Sequence, residues 1–128
     1  MGFLVKQCKP GTILSDPTQI GIEVAVPQLP GARRKKLVTK DVVIWNRPGM
    51  TCWSEDRLST NHPLCIMEWK RGEDSIAARR DIDWLRAYST TVEGLLGFSV
   101  VLGLGPDGPR LRCVCVNAGK IAKEWLIL

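Results

Sequence analysis

Short runs of apolar residues, several of them alternating with polar ones, recur along this 128-residue chain and are typical of β-strands. Five such runs are predicted as strands: residues 20–26, 37–45, 64–70, 97–104 and 111–116. The segment 30–36 joins the first two strands as a short exposed hairpin connection. Residues 1–19 lack a clear period, so we expect an irregular lead-in there, with room for one short strand.

One segment has a helical period instead. From Glu73 to about Leu95 there is no proline, Gly94 is the only glycine, and apolar residues recur at steps of three and four. The predicted stripe consists of Ala78, Ile82, Leu85 and Val92, with Trp84 and Tyr88 beside it. A second, short helix is expected over residues 120–126. The order β-β-β-α-β-β-α predicts one mixed α/β domain over residues 1–128, with a mixed β-sheet flanked by helices.

The composition narrows the class of protein. Hydrophobic residues make up 45% of the chain and charged residues 24%, which is enough apolar content for a core and excludes a disordered class. The most apolar stretch, residues 94–105, is shorter than the roughly 20 residues of a membrane span, and the first residues lack the pattern of a signal peptide. Five cysteines without a C-x-x-C pair and a single histidine, His62, disfavour a zinc site and favour a reduced, cytoplasmic setting.

The net charge of +5 is concentrated in one segment, residues 31–47, because the rest of the chain has as many acids as bases. This segment holds one acid, Asp41, and six basic residues: Arg33, Arg34, Lys35, Lys36, Lys40 and Arg47. Local positive charge is typical of a surface that binds a polyanion. A solvated loop that aids solubility explains the charge equally well, so both interpretations stay open.

Two other patterns carry less information. Residues 103–108 match G-x-G-x-x-G, but Pro106 has no N–H to offer a phosphate and a strand follows instead of a helix. We therefore predict a hairpin turn there and no dinucleotide cofactor. Four of the five tryptophans lie in regular elements and are expected in the core. Trp53, in the polar loop 51–63, is the one expected to be exposed and available to stack on a base.

The informative combination is an acid inside one apolar strand and an acid and a lysine at the end of the next. Asp41 is followed by Val-Val-Ile in the second predicted strand, and Glu68 and Lys70 close the third. Because strand side chains alternate, Glu68 and Lys70 share one face and Trp69 has the other. A carboxylate in an apolar strand is costly unless its charge is compensated. If the two strands are neighbours, one divalent cation compensates both acids, and oxygen ligands suit Mg²⁺ or Mn²⁺.

This arrangement resembles the PD-(D/E)xK nuclease superfamily, in which an acid in one strand is followed by D/E-x-K in the next. The matching residues are Asp41 and, after a gap of 26 residues, Glu68-Trp69-Lys70. The helix and strand that follow also fit the family core, so the resemblance spans about residues 20–117. Family members usually have a helix before the first strand, often with an additional acid. Residues 1–19 do not match such a helix, and Glu23 is the nearby acid that would replace that carboxylate.

The resemblance implies a restriction-endonuclease-like core and hydrolysis of phosphodiester bonds in DNA, with Mg²⁺ or Mn²⁺ as cofactor. Asp41, Glu68 and the backbone carbonyl of Trp69 would hold the metal. Lys70 would orient or help deprotonate the attacking water and contact the scissile phosphate. The groups that would bind backbone phosphates are Arg33, Arg34, Lys35 and Lys36, together with Arg79 and Arg80.

Two other classes of function stay open. The first is a catalytically inactive nucleic-acid-binding or assembly module on the same fold. The second is a small protein-interaction domain whose basic loop only aids solubility. For the candidate site itself, the alternative is that Glu68 and Lys70 form an exposed ion pair at the end of a strand. A homo-oligomer is compatible with each of these, and no membrane partner is expected.

Overall fold

The computed structural model describes residues 2–32, 35–72 and 76–127, without the side chains of Phe3 and residues 123–127. The described part contains six strands and two α-helices, which confirms a mixed α/β chain. The helices are α1 (Gly2–Lys6) and α2 (Ile76–Thr91), and a 3-10 turn covers Pro17–Gln19. The strands are β1 (Ile20–Pro27), β2 (Leu37–Ile44), β3 (Cys65–Arg71), β4 (Leu96–Gly105), β5 (Gly108–Asn117) and β6 (Lys120–Ile127). The chain divides into two compact units, Met1–Leu64 and Cys65–Leu128.

The first unit is built on the predicted hairpin of β1 and β2. The two strands pair antiparallel, from Ile20 opposite Ile44 to Pro27 opposite Leu37. Leu64, the last residue of this unit, donates its N–H to the carbonyl of Ile44 at 2.8 Å, so the loop that follows β2 returns to the end of that strand. Residues 33 and 34, at the tip of the hairpin, lie outside the described residues.

A buried glutamine fastens the lead-in segment to the hairpin. The side chain of Gln19 has no exposed surface. Its Oε1 accepts hydrogen bonds from the N–H groups of Ser15 and Asp16, and its Nε2 donates to the carbonyls of Ile13 and Trp45. The lead-in is irregular over most of its length, as predicted, but it holds the five-residue helix α1 and the 3-10 turn and no strand. Elements this short have no period that a sequence pattern can reveal.

The second unit is a β-α-β crossover extended by two more strands. Strands β3 and β4 are parallel, with Cys65 opposite Leu96 and Arg71 opposite Leu102, and α2 connects them. Strand β5 pairs antiparallel with β4, and β6 pairs antiparallel with β5. The turn between β4 and β5 lies between Gly105 and Gly108, so the hairpin turn predicted for the G-x-G-x-x-G match is confirmed.

Helix α2 packs against this sheet through a face close to the predicted one. Ala78 and Leu85 are buried as predicted, whereas Ile82 and Val92 are only half-buried. Tyr88 is fully buried. It stacks on Trp84 with a ring-centroid distance of 4.5 Å. Glycine at position 97 of β4 allows close approach, because a Cβ there would lie 3.1 Å from Leu85 Cδ2.

The prediction of a helix over residues 120–126 is wrong, because this segment is strand β6. The turn before it has Ala118 at φ +49° and Gly119 at φ +75°. Two successive positive φ values are typical of the two-residue hairpin turn that matches strand twist. Pairing with β5 therefore outweighs the helix propensity of Lys120 and Ala122.

The tryptophans divide differently from the sequence prediction. Trp45 is buried and Trp53 is 52% exposed, as expected. Trp69 is 48% exposed, although it lies in a strand. Helix α2 covers the opposite face of β3, and no helix in the described part of this unit covers the face that carries Trp69. Trp84 is half-buried, and the side chain of Trp125 lies outside the described residues. Among the described residues, no helix is long and apolar enough to span a bilayer.

The contact between α2 and β4 generates a stability prediction. We expect Gly97→Ala to lower the free energy of unfolding by about 1–3 kcal/mol. The new methyl group would lie 3.1 Å from Leu85 Cδ2, and Leu85 is fully buried. Urea denaturation measures the loss. Gly2→Ala is the control, since a Cβ there meets nothing within 4 Å. Equal stability of the two variants would contradict this packing.

The buried thiols generate a pH prediction. Burial, together with the nearby Cys115 and Cys113 thiols, raises the pKa of Cys65 from 9.0 to about 12. A folded-state pKa above the unfolded value means stability that is complete below pH 9 and is lost as the pH rises toward 12. Wild type should therefore lose stability relative to Cys65→Ala across pH 9–12 in urea titrations. Cys8→Ala, outside this cluster, should track wild type, and a pH-independent difference for Cys65→Ala would contradict the assignment.

Candidate active site

Strand β3 presents its polar residues as the alternation predicts. Glu68 is only 4% exposed, Trp69 is half-exposed, and Lys70 is partly buried. Ile66, two residues before Glu68 on the same face, is fully buried. An exposed ion pair at a strand end is therefore excluded for Glu68.

Helix α2 brings a second acid to this face. Asp81 lies near the start of the described helix, and its Oδ2 is 3.2 Å from Lys70 Nζ. This Oδ2 atom is buried and makes no hydrogen bond in the described part of the chain, so the contact is an ion pair without hydrogen-bond geometry. The lysine ammonium is the charge that compensates the carboxylate.

Strand β4 adds a buried hydroxyl beside the glutamate. Ser99 is the register partner of Glu68 across the parallel pair and is 1% exposed. Its Oγ has no hydrogen-bond partner among the described residues. Together, Glu68, Lys70, Asp81 and Ser99 make up the polar row of the second unit. Most buried polar groups have a hydrogen-bond partner, so a hydroxyl and a carboxylate oxygen that lack one among the described residues mark this face as unusual.

Sequence analysis did not identify Asp81 or Ser99 as site residues. Both could have been found from the β-α-β connection, because the helix of such a crossover packs back on the strands it joins. A polar residue one or two turns into the helix then faces the end of the first strand, as Asp81 faces Lys70.

The acids predicted in the first unit share one position of its hairpin. Asp41 is half-buried in β2. Glu23 occupies the register position opposite Asp41, between the pairs Ile22–Val42 and Val24–Lys40. The backbone of Glu23 has φ +50°, an unfavourable value for a residue with a side chain. The side chain of Glu23 is exposed, whereas that of Asp41 is half-buried.

The basic residues are only partly on the surface. Lys35, Lys36 and Arg47 are exposed, as are Arg79 and Arg80 on α2. Arg33 and Arg34 lie outside the described residues. Lys40 is 7% exposed, so this lysine adds little to the positive surface of segment 31–47. Its place in the middle of a paired strand explains the burial.

The donors present suit a hard cation. No group of three or more His, Cys, Asp or Glu side chains comes together to hold a metal within the ranges that the structure describes. Carboxylates such as those of Asp41 and Glu68, and a main-chain carbonyl such as that of Trp69, are the oxygen ligands that Mg²⁺ takes in proteins. Mg²⁺ needs only one or two protein carboxylates, since water and substrate phosphates complete its octahedron.

Comparisons with family models, with curated proteins and with solved structures found no match for this chain. The resemblance to the PD-(D/E)xK superfamily therefore stays a prediction from the residues.

The Lys70–Asp81 ion pair generates a prediction about stability. Lys70→Met should lower the free energy of unfolding by about 1–2 kcal/mol, because it leaves a buried carboxylate oxygen without its cation. Asp81→Asn added to Lys70→Met should restore part of the loss. Both side chains retain some exposure, so we expect a coupling energy of about 1 kcal/mol in a double-mutant cycle measured in EDTA.

Arg79→Met, an exposed change on the same helix, is the control for lost positive charge and should stay within about 0.5 kcal/mol of wild type. Strictly additive effects of Lys70→Met and Asp81→Asn would contradict the ion pair.

Proposed function

We propose that this chain is a divalent-cation-dependent nuclease that hydrolyses phosphodiester bonds in DNA. The observation that supports it best is the arrangement of Glu68 and Lys70 on one face of β3, with α2, the next described element, packed on that face. The E-x-K residues are therefore held by a β-α-β crossover and do not lie in a mobile loop.

Burial of Glu68 supports a cation at this carboxylate. A glutamate that is 4% exposed is shielded from water, so its attraction for a cation is screened less than at the surface. In the proposal, Glu68 and the Trp69 carbonyl hold Mg²⁺ or Mn²⁺, and Asp41 supplies the second carboxylate that the resemblance implies. When bound, such a cation lowers the pKa of a water molecule and neutralises charge on the reacting phosphate.

Lys70 has the role of orienting the attacking water and contacting the scissile phosphate. Its ammonium is held by Asp81 at 3.2 Å, which limits the positions that a flexible four-carbon side chain can take. Restricting a reacting group in advance lowers the entropic cost of reaching the transition state. The exposed Lys35 and Lys36 would bind the DNA backbone through charge, an interaction that salt weakens.

A second candidate is a module of the same fold that binds nucleic acid without cleaving it. Two observations favour it: the Lys70 ammonium is already neutralised by Asp81, and no group of three metal-ligating side chains occurs in the described ranges. A lysine that stays paired cannot act on a water molecule.

Cleavage of supercoiled plasmid DNA tests the proposal. Wild type should nick the plasmid with Mn²⁺ or Mg²⁺ and stop with EDTA. Asp41→Asn, Glu68→Gln and Lys70→Met should each reduce the rate by at least about 100-fold, because each removes a group that acts on the reacting atoms. Glu93→Gln and Lys120→Met, at exposed positions, are the charge-matched controls and should cleave as wild type does.

Thermal melting with added Mn²⁺ separates the two candidates. A cation that binds the folded state raises the melting temperature with concentration, and Glu68→Gln should abolish the rise. DNA binding without cleavage would favour the second candidate. Cleavage that survives Glu68→Gln, or wild type without cleavage and without DNA binding, would refute the nuclease. An unchanged Mn²⁺ response in Asp41→Asn would remove that residue from the ligand set.

A further inference from the structure

The first unit contains an apolar groove beside Trp53, the more exposed of its two described aromatic side chains. The groove has a volume of about 420 Å³, within the range of sites that hold small molecules. The indole of Trp53 is 52% exposed at the groove. The other lining residues that shape it are Gly21, Val24, Ala25, Trp45 and Met50. A half-exposed indole next to an apolar groove offers a flat ring a face to stack on.

The loop that carries Trp53 is held in place by hydrogen bonds. Asn61 Nδ2 donates to the carbonyls of Thr51 at 3.0 Å and Trp53 at 2.8 Å, and the Asn61 N–H donates to the carbonyl of Cys52. The N–H of Ser54 donates to the Leu58 carbonyl at 2.8 Å. The backbone on both sides of the indole is therefore fixed before a ligand arrives, which lowers the entropic cost of binding.

The floor of the groove is formed by the unusual segment of β1. A Cβ at position 21 would lie 2.8 Å from a methyl carbon of Val24, so glycine is needed for the Val24 side chain to pack there. Glu23, between the two, has the positive φ of +50°. Strained backbone of this kind is often found at binding sites.

The charge of this unit favours an anionic polymer as the source of the ligand. Residues 1–64 contain nine basic and five acidic residues. Arg47 is exposed and lies between the groove residues Trp45 and Gly49 in the chain. Lys36 lies three residues before Thr39, which is the register partner of the groove residue Ala25. At the rise per residue of a β-strand, the distance from Lys36 to Thr39 is about 10 Å.

We propose that this groove binds an unpaired nucleobase, which stacks on Trp53 while the adjoining phosphates contact Lys35, Lys36 and Arg47. At the ~3.4 Å spacing of stacked nucleotides, a strand with one base at the groove reaches Lys36 within about three nucleotides. The loop also carries Glu55 and Asp56, so stacking rather than charge supplies the binding at Trp53 itself. This inference rests on nucleic acid as the partner of the proposed nuclease and does not depend on cleavage.

Anisotropy of a labelled 12-nucleotide oligothymidine, measured in EDTA so that no cleavage occurs, tests the groove. Trp53→Ala and Trp53→Leu should weaken binding by about 5- to 150-fold, the range of one lost base–aromatic stack. Trp53→Phe, which keeps an aromatic ring, should retain most of the affinity. Leu58→Ala, an equally exposed apolar residue of the same loop, is the control and should change affinity less than twofold.

The salt dependence of the same binding separates stacking from charge. Trp53→Ala should leave the slope of log affinity against log salt unchanged. Lys35→Ser with Lys36→Ser should reduce it by about 1.4 for a single strand. A 12-base-pair duplex, which has no unpaired base, should bind wild type and Trp53→Ala alike.

The outcomes also distinguish this inference from the proposed function. Wild type that binds no nucleic acid would refute both. Wild type that binds the oligonucleotide while Trp53→Ala binds it equally would refute the groove alone. Equal losses for Trp53→Phe and Trp53→Ala would refute stacking. A wild type that sediments as a dimer and a Trp53→Ala variant that sediments as a monomer would assign the groove to a second copy of this chain.

Discussion

The packing of α2 on the parallel strands of the second unit governs the chemistry of the candidate site. A helix can approach β4 this closely because position 97 is glycine, and Leu85 occupies the space that a side chain would take. The same approach covers the face of β3 that carries Glu68 and sets Asp81 against Lys70. Without the helix, both β3 residues would lie on an open sheet face, where water would compensate their charges and nothing would hold the lysine in place.

The polar row beneath α2 lowers the stability of the fold, because buried polar and charged groups have an electrostatic cost. Apolar residues of similar volume would pack there at no electrostatic cost, and replacing buried charges in this way often stabilises a protein. The row instead retains a buried glutamate and a serine whose hydroxyl has no partner among the described residues. A gain in stability alone therefore does not explain why these residues are retained.

The periodicity of the sequence predicted most strands and the long helix. Each of these elements buries one face, and apolar residues recur in the sequence at the period of that face. It failed where partners distant in sequence decide the structure. Residues 120–127 have ordinary helix formers, but the free edge of β5 recruits them as a strand. Lys40 belongs by sequence to a basic run and yet is buried, and Trp69 is exposed although it lies in a strand. The role of Asp81 depends on which face of α2 packs against the sheet. The pattern of a single sequence predicts that face only approximately.

The strength of the Lys70–Asp81 contact decides whether the lysine is available for chemistry. The side chains are 31% and 17% exposed, so solvent screens their attraction, and the net value of such a pair is about 1 kcal/mol or less. A charge-assisted hydrogen bond from the ammonium to a phosphate oxygen is worth roughly 1.5–3 kcal/mol. A phosphate that reaches Lys70 can therefore draw it away from Asp81. The ion pair then acts as a resting position for the lysine, from which a bound phosphate can recruit it.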